Sequence, residues 1–216
     1  MILYSYFRSS AAYRVRIALN IKDINYSIKP IHLLKSGGEQ HHPEFHQINP
    51  QNLVPVLTHN NRNISQSLAI MEYLETCQPT PSLLPENTNN NIACQEFSLI
   101  ICCDIHPLNN LRVLNYLKHD TESEIDVTQW VQHWINEGFS ALETKISSVK
   151  DNSGGKYCYG DTATIADCCL IPQIYNALRY DIDMSMYPTL NRVYQHCLAQ
   201  PEFHQAAPEQ QIDFPG

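Results

Sequence analysis

Ile2-Leu3-Tyr4-Ser5-Tyr6-Phe7-Arg8-Ser9-Ser10-Ala11-Ala12-Tyr13-Arg14-Val15-Arg16 is the stretch on which the reading of this chain turns. Ile2 to Tyr6 reads as a buried strand. Ala11 to Ile21, with Val15, Ala18 and Leu19 at helical spacing, reads as a helix. Ser9 and Ser10 stand at the junction. Serine is a preferred helix cap because its oxygen accepts from a backbone N–H that lacks an intrahelical partner. The same helix end attracts anions through its free N–H groups and its dipole, and a thiolate is such an anion. A lone Ser-Ser is an ordinary cap, so the rest of the chain decides its meaning.

Working outward, Tyr26 to His32 reads as a second strand, and Lys35-Ser36-Gly37-Gly38 as a loop. Pro43 to Ile48 suggests a short helix. Val54 to Leu57 and Asn63-Ile64 pair as a hairpin around the polar His59 to Arg62, and Ser67 to Thr76 is an amphipathic helix. The order β-α-β-α-β-β-α is an α/β layer compatible with a thioredoxin-like domain, placed at residues 1–80. Pro79, Pro81 and Pro85 punctuate what reads as an interdomain linker. Beyond it, Ile92 to Lys118, Val127 to Val149, Thr164 to Arg179 and Leu190 to Leu198 are helical in period, which implies an all-helical domain at residues 86–216. Thr164-Ile165-Ala166-Asp167 is a variant capping box. Glu86 to Asn91 and Asp151 to Gly155 are polar loops.

Composition narrows the function. A hydrophobic content of 43% with 17% charged residues describes a folded, soluble protein. No apolar run reaches membrane-span length, and no basic-then-apolar leader opens the chain, so a cytoplasmic protein without a membrane partner is expected. The net charge of −8 argues against nucleic acid as a partner. Arginine is scarce, so a small anionic substrate needs a local cluster drawn from Arg8, Arg14, Arg16, Arg62, Arg112, Arg179 and Arg192. The eight cysteines form no C-x-x-C pair and begin only at Cys77, which points to reduced thiols packed as small hydrophobes. No metal site is expected.

Two further pairs carry chemistry. Val54-Pro55 opens a strand, where proline is tolerated; in a thioredoxin-like domain a cis proline here leaves the preceding main chain free to pair with a peptide-like ligand. Gln66-Ser67 opens a helix, where Ser67 is an ordinary cap or part of a second anion site with an amide beside it. Disulfide exchange through a cysteine at the start of the first helix is excluded, because the positions that need a low-pKa cysteine are Ser9, Ser10, Ala11 and Ala12. Ser9-Ser10, Val54-Pro55 and Gln66-Ser67 in this order say far more together than any of them alone.

The chain resembles the zeta-class glutathione transferases. The resemblance is carried by Tyr4 to Ser10, Arg14-Val15-Arg16-Ile17-Ala18-Leu19, Asn49-Pro50 with Val54-Pro55, and Gln66-Ser67-Leu68-Ala69-Ile70. In the helical half it rests on His106 to Leu114, Gly138-Phe139 with Ala141-Leu142-Glu143, and Ala166-Asp167 through Pro172-Gln173. It covers nearly the whole chain. Two departures stand out: Ala11 replaces the usual cysteine and Tyr13 the usual tryptophan. The resemblance implies a glutathione transferase fold, an active-site cleft formed by both domains, a homodimer, and glutathione as cofactor.

The activity it implies is cis–trans isomerisation of maleylacetoacetate, a conjugated keto diacid of tyrosine and phenylalanine breakdown. Thiolate addition makes the double bond single, rotation follows, and elimination restores the alkene. Ser9 is then the hydroxyl that donates to the glutathione sulfur, with Ser10 and the helix N-terminus beside it. Gln40, Val54, Pro55, Gln66 and Ser67 hold the peptide, and His106, Asn110 and Arg112 are ligand contacts from the helical domain. Arg8, Arg112 and Arg179 bind the substrate's carboxylates, as arginine's forked donors suit. Arg14 and Arg16 are read as structural or interfacial. Maleylpyruvate isomerisation, transfer to α-halo acids, and a non-catalytic regulator on the same fold are the competing functions.

Overall fold

β1 (Ile2–Ser5) lies inside a four-stranded sheet of order β2-β1-β3-β4. The computed structural model describes residues 1–119, 125–148 and 155–215. β2 (Ser27–Pro30) runs parallel to β1, which requires a crossover, and α1 (Ser10–Ile21) supplies it. β3 (Val56–His59) and β4 (Arg62–Ser65) are antiparallel neighbours. Their turn places both Asn60 and Asn61 at positive φ, the conformation of a tight hairpin that asparagine tolerates. α2 (Pro43–His46) is one short turn, and α3 (Ser67–Cys77) closes this part.

The core follows from the pattern. Leu3, Val15, Ile17, Leu19, Leu57, Ile70, Met71 and Leu74 are buried between the sheet and helices α1 and α3. A second cluster joins Tyr4, Tyr6, Phe7, Ile31, Phe45, Val54 and Val56. Lys22, which ends α1, is fully buried. It pairs with Glu75 at 2.7 Å and donates to the carbonyls of Gln78 and Pro81 at 2.6 and 2.8 Å, which anchors the exit from α3.

The chain divides into two compact units, Met1–Leu83 with Leu198–Gly216, and Leu84–Cys197. This differs from the expectation of a helical domain running to residue 216. α9 (Pro201–Ala206), which the sequence reading missed, packs on α1. The physical reason is a set of hydrogen bonds, one buried and two part-buried: Arg16 Nε donates to Ala206 O at 2.8 Å, Asn20 Nδ2 to Glu202 O at 2.9 Å, and the Phe7 amide to Asp213 at 2.9 Å.

In the helical unit, α4 (Thr88–Leu99), α5 (Leu111–His119), α6 (Val127–Ser148), α7 (Ile165–Leu178) and α8 (Pro188–Leu198) follow in order. The single helix expected over Ile92 to Lys118 is broken by a wide π-type turn at Ile100–Ile105 and a 3-10 turn at His106–Asn109. Pro107 cannot continue an α-helical bond pattern. Asn87 and Asp126 cap α4 and α6, and the Glu143 carboxylate accepts from the Thr189 and Leu190 amides at the start of α8. The Asp151 to Gly155 loop, up to residue 154, and the Val149 end of the expected helix lie outside the described residues. No described helix is long and apolar enough to cross a membrane.

The expected capping box is present. Asp167, fully buried, accepts from the Thr164 amide, the Thr164 hydroxyl and the Cys158 amide, each at 2.8 Å. Asp167→Ala leaves those buried donors unpaired and should cost about 3 kcal/mol of unfolding free energy, read by urea denaturation. A loss under about 1 kcal/mol would show that the carboxylate is dispensable.

Candidate functional site

Register places the expected peptide-binding residues. Val56 pairs with Tyr4 on one side and Ser65 on the other, and Ser5 pairs with Pro30. The last residues of β1, β2 and β4 and the first of β3 therefore share one end of the sheet. Ser9-Ser10 follows β1, Gln40 lies in the connection after β2, Val54-Pro55 precedes β3, and Gln66-Ser67 follows β4. Residues from Ser9 to Ser67 meet at one end of the sheet because β1, β2 and β4 run toward that end and β3 runs away from it.

Ser9 is the N-cap of α1. Its Oγ accepts from the Ala12 amide at 3.2 Å, so the hydroxyl's own proton remains available for donation. Ser10 is buried at the first helical position. No acidic residue occupies the first turn of α1 or of α3, so neither helix end is neutralised by its own first turn. Arg8 is half-buried, its guanidinium 5.8 Å from the centre of the Phe7 ring.

Val54-Pro55 is a cis peptide, and Val54 lies just outside the β3 ladder. Asn49 shapes the approach to it, donating to Leu53 O at 2.7 Å and accepting from the Gln51 amide at 3.1 Å. Gln51 in turn accepts from Gln66 Nε2 at 2.9 Å. Gln66 is exposed and sits at φ +69°, a conformation that ordinary side chains avoid and that recurs at functional sites. Gln40 is buried, with a long contact from Nε2 to Leu33 O (3.5 Å) and no partner for Oε1.

Ser67, buried at the start of α3, accepts from Arg14 Nη1 at 3.2 Å. The sequence reading of Arg14 as structural or interfacial does not include this contact, because no local signal pairs it with a serine 53 residues away. Gln51 and Asn49 were missed as orienting groups; the signal was the Asn49-Pro50 pair ahead of Val54-Pro55.

His106 opens the 3-10 turn of the helical unit and Asn110 follows it, capping α5 by accepting from the Arg112 amide at 3.2 Å. α6 braces that turn: Trp130 Nε1 donates to Leu108 O at 2.8 Å, and Gly138 leaves space that a Cβ would deny to Ile105. Arg112 is exposed on α5. Arg179 is exposed at the end of α7, bonded to Asn176 Oδ1 at 3.3 Å and 5.9 Å from the Tyr180 ring centre. Arg8 belongs to the first unit, and Arg112 and Arg179 to the second.

Residues 1–76 match the family model described as the glutathione S-transferase N-terminal domain, and residues 111–201 the corresponding C-terminal domain. The chain is 48% identical over 214 residues to a probable maleylacetoacetate isomerase of Vibrio cholerae, covering 99% of this chain and 98% of that protein. Among solved structures it is similar to a holo maleylpyruvate isomerase described as a bacterial zeta-class glutathione S-transferase. The TM-score is 0.93 at 38% identity, over 99% of both chains. It is equally similar in fold to a maleylacetoacetate isomerase of Methylobacterium extorquens AM1 with bound malonate and glutathione, with a TM-score of 0.93 and 34% identity over 100% of both chains.

The strained φ of Gln66 gives a stability test at the site. Gln66→Gly should be more stable than Gln66→Ala by about 1 kcal/mol in chemical denaturation, because glycine accepts positive φ and alanine does not. Equal stabilities would show that this backbone carries no strain.

Proposed function

Because this chain belongs to the glutathione S-transferase family, in its zeta class, we propose that it catalyses glutathione-dependent isomerisation of maleylacetoacetate to fumarylacetoacetate in tyrosine and phenylalanine breakdown. The observation that carries the reading is the meeting of Ser9-Ser10, Val54-Pro55 and Gln66-Ser67 at one end of the sheet, beside two helix N-termini with no acid of their own.

The residues present fit glutathione. A peptide with two carboxylates and a thiol needs anion-binding helix ends, an exposed main-chain edge and unpaired polar groups. The α1 and α3 N-termini, Val54 beside β3, and the buried Gln40 Oε1 supply them. When bound, glutathione supplies the thiolate that adds to and leaves the substrate's double bond.

Ser9 donates its free hydroxyl proton to the sulfur, favouring the thiolate over the thiol, and the α1 N-terminus adds a positive field. Ser10 lines the same helix end. Val54, with Pro55, presents main chain to the peptide, while Gln40, Gln66 and Ser67 hold its polar ends. His106, Asn110 and Arg112 contact the ligand from the helical unit. Arg8, Arg112 and Arg179 take the carboxylates of the keto diacid. As the family implies, the protein works as a homodimer in the cytoplasm.

A shorter diacid, maleylpyruvate, is the second reading, favoured by the similarity to a maleylpyruvate isomerase over the full chain. Both substrates are assayed for trans product with and without glutathione. The expected result is strict dependence on glutathione, a higher kcat/KM for maleylacetoacetate, and a loss on the order of 10²-fold in Ser9→Ala. Loss of the cap alone should cost that variant about 1 kcal/mol of stability, leaving it folded. Preference for maleylpyruvate would install the second reading, and glutathione-independent activity or none at all would overturn both.

A further inference from the structure

α1 holds two buried arginines, and only one has a full set of partners. Arg16 uses every nitrogen of its guanidinium: Nε to Ala206 O, Nη1 to Ser5 Oγ and Tyr6 O, and Nη2 to Phe7 O. Arg14 is 2% exposed, yet Nη1 alone finds an acceptor, Ser67 Oγ at 3.2 Å, while Nε and Nη2 have none. Among the described residues no carboxylate forms a salt bridge with it; the ion pairs there are Lys22–Glu75 and Lys145–Glu96. A buried cation without a counter-charge or a complete set of acceptors lowers stability, so its retention calls for another reason.

The place of this cation supplies one. Ser67 is the first residue of α3, an 11-residue helix with no acid in its first turn. Helix end and guanidinium are two independent sources of positive potential, and they meet at the Ser67 hydroxyl. Because Ser67 Oγ accepts from Arg14, its proton is left to be donated away from Arg14.

We propose that Arg14 is a positioning residue for an anion at the α3 N-terminus, namely the α-carboxylate on the γ-glutamyl group of glutathione. This rests on the glutathione reading given above. Arg14 orients the Ser67 hydroxyl toward the carboxylate and places a fixed charge behind it. The carboxylate, when bound, supplies the counter-charge that the fold withholds. A merely structural arginine behaves in the opposite way, since its removal destabilises the empty protein and leaves ligand discrimination alone.

The test compares binding of glutathione with that of γ-aminobutyryl-cysteinylglycine, the same peptide without this carboxylate, by calorimetric titration. Wild type, Arg14→Met and Arg14→Lys are titrated, and each is melted without ligand. In wild type, loss of the carboxylate should weaken binding roughly tenfold or more. In Arg14→Met the two peptides should bind alike, at the level of the truncated peptide to wild type. Its unliganded melting temperature should be no lower than wild type, because an unpaired buried charge has been replaced by an apolar side chain of similar length. Arg14→Lys should recover part of the discrimination.

The inference is overturned if Arg14→Met discriminates the peptides as wild type does, melts well below wild type, or fails to fold. In those cases glutathione binding by wild type leaves the site reading standing. If wild type itself binds neither peptide, the glutathione reading falls and this inference with it.

Discussion

Arg16 is the constraint on which the first unit depends. Its guanidinium is fully buried and makes no salt bridge among the described residues, and burial lowers its pKa to about 10, which still leaves it charged at neutral pH. Such a group is tolerable only when its donors are saturated. Ser5, Tyr6 and Phe7, at the end of β1, and Ala206, in α9, provide the acceptors. One side chain thus fastens the C-terminal segment to the strand end from which Arg8 and Ser9 emerge. Asp213 adds a second tie through the Phe7 amide. The shape of the Ser9 turn is set by contacts nearly 200 residues away in sequence, so a change in the C-terminal segment reaches the site through this network.

The two arginines of α1 show two uses of a buried charge. Arg16 is held by carbonyls and serves the fold. Arg14 touches one hydroxyl and leaves donors unmet beside a helix end. The same economy appears at Gln40, whose Oε1 is buried without a partner, and at Gln66, held at positive φ. Arg14, Gln40 and Gln66 bring unsatisfied polar atoms and a strained backbone to the side of the unit that carries the expected peptide-binding residues, while Arg16 and Lys22 are fully bonded. That contrast fits a site whose missing partners come from a ligand.

In the helical unit the buried thiols explain themselves. Burial pushes Cys94 up to about 11 and also raises Cys158 and Cys197, so these groups stay protonated and pack as small apolar side chains. Burial also raises Asp167, while bonds from Cys158 and Thr164 pull it back. Three hydrogen bonds at 2.8 Å let that carboxyl serve as the hinge between the Cys158 loop and the start of α7. Ser147 and Glu143 on α6 meet Thr189 on α8, continuing the bracing toward the last helix of the unit.

Much of this was legible in one dimension. The apolar runs around Leu3 and at Val56-Leu57, the polar turn at Asn60-Asn61 and the Ser9 and Asp167 caps are local signals, and local sterics and hydrogen bonding suffice to read them. The same holds for the Ser9-Ser10, Val54-Pro55 and Gln66-Ser67 pairs and for the family they announce. What local pattern could not decide is anything that depends on long-range partners. Pro107 marks a break, but the wide turn before it depends on Ile105 packing over Gly138. The helix of Pro201–Ala206 is too short to announce itself, and it is held by Arg16 and Asn20 rather than by its own propensity. Arg14 and Arg16, two residues apart, point to different sides of one helix. The sequence by itself determined the order of elements, their caps and the residue types at the site. Only the tertiary structure decided that one arginine would be saturated and the other left wanting an anion, because hydrogen-bond satisfaction is a property of which distant groups folding brings within 3 Å or so of each other.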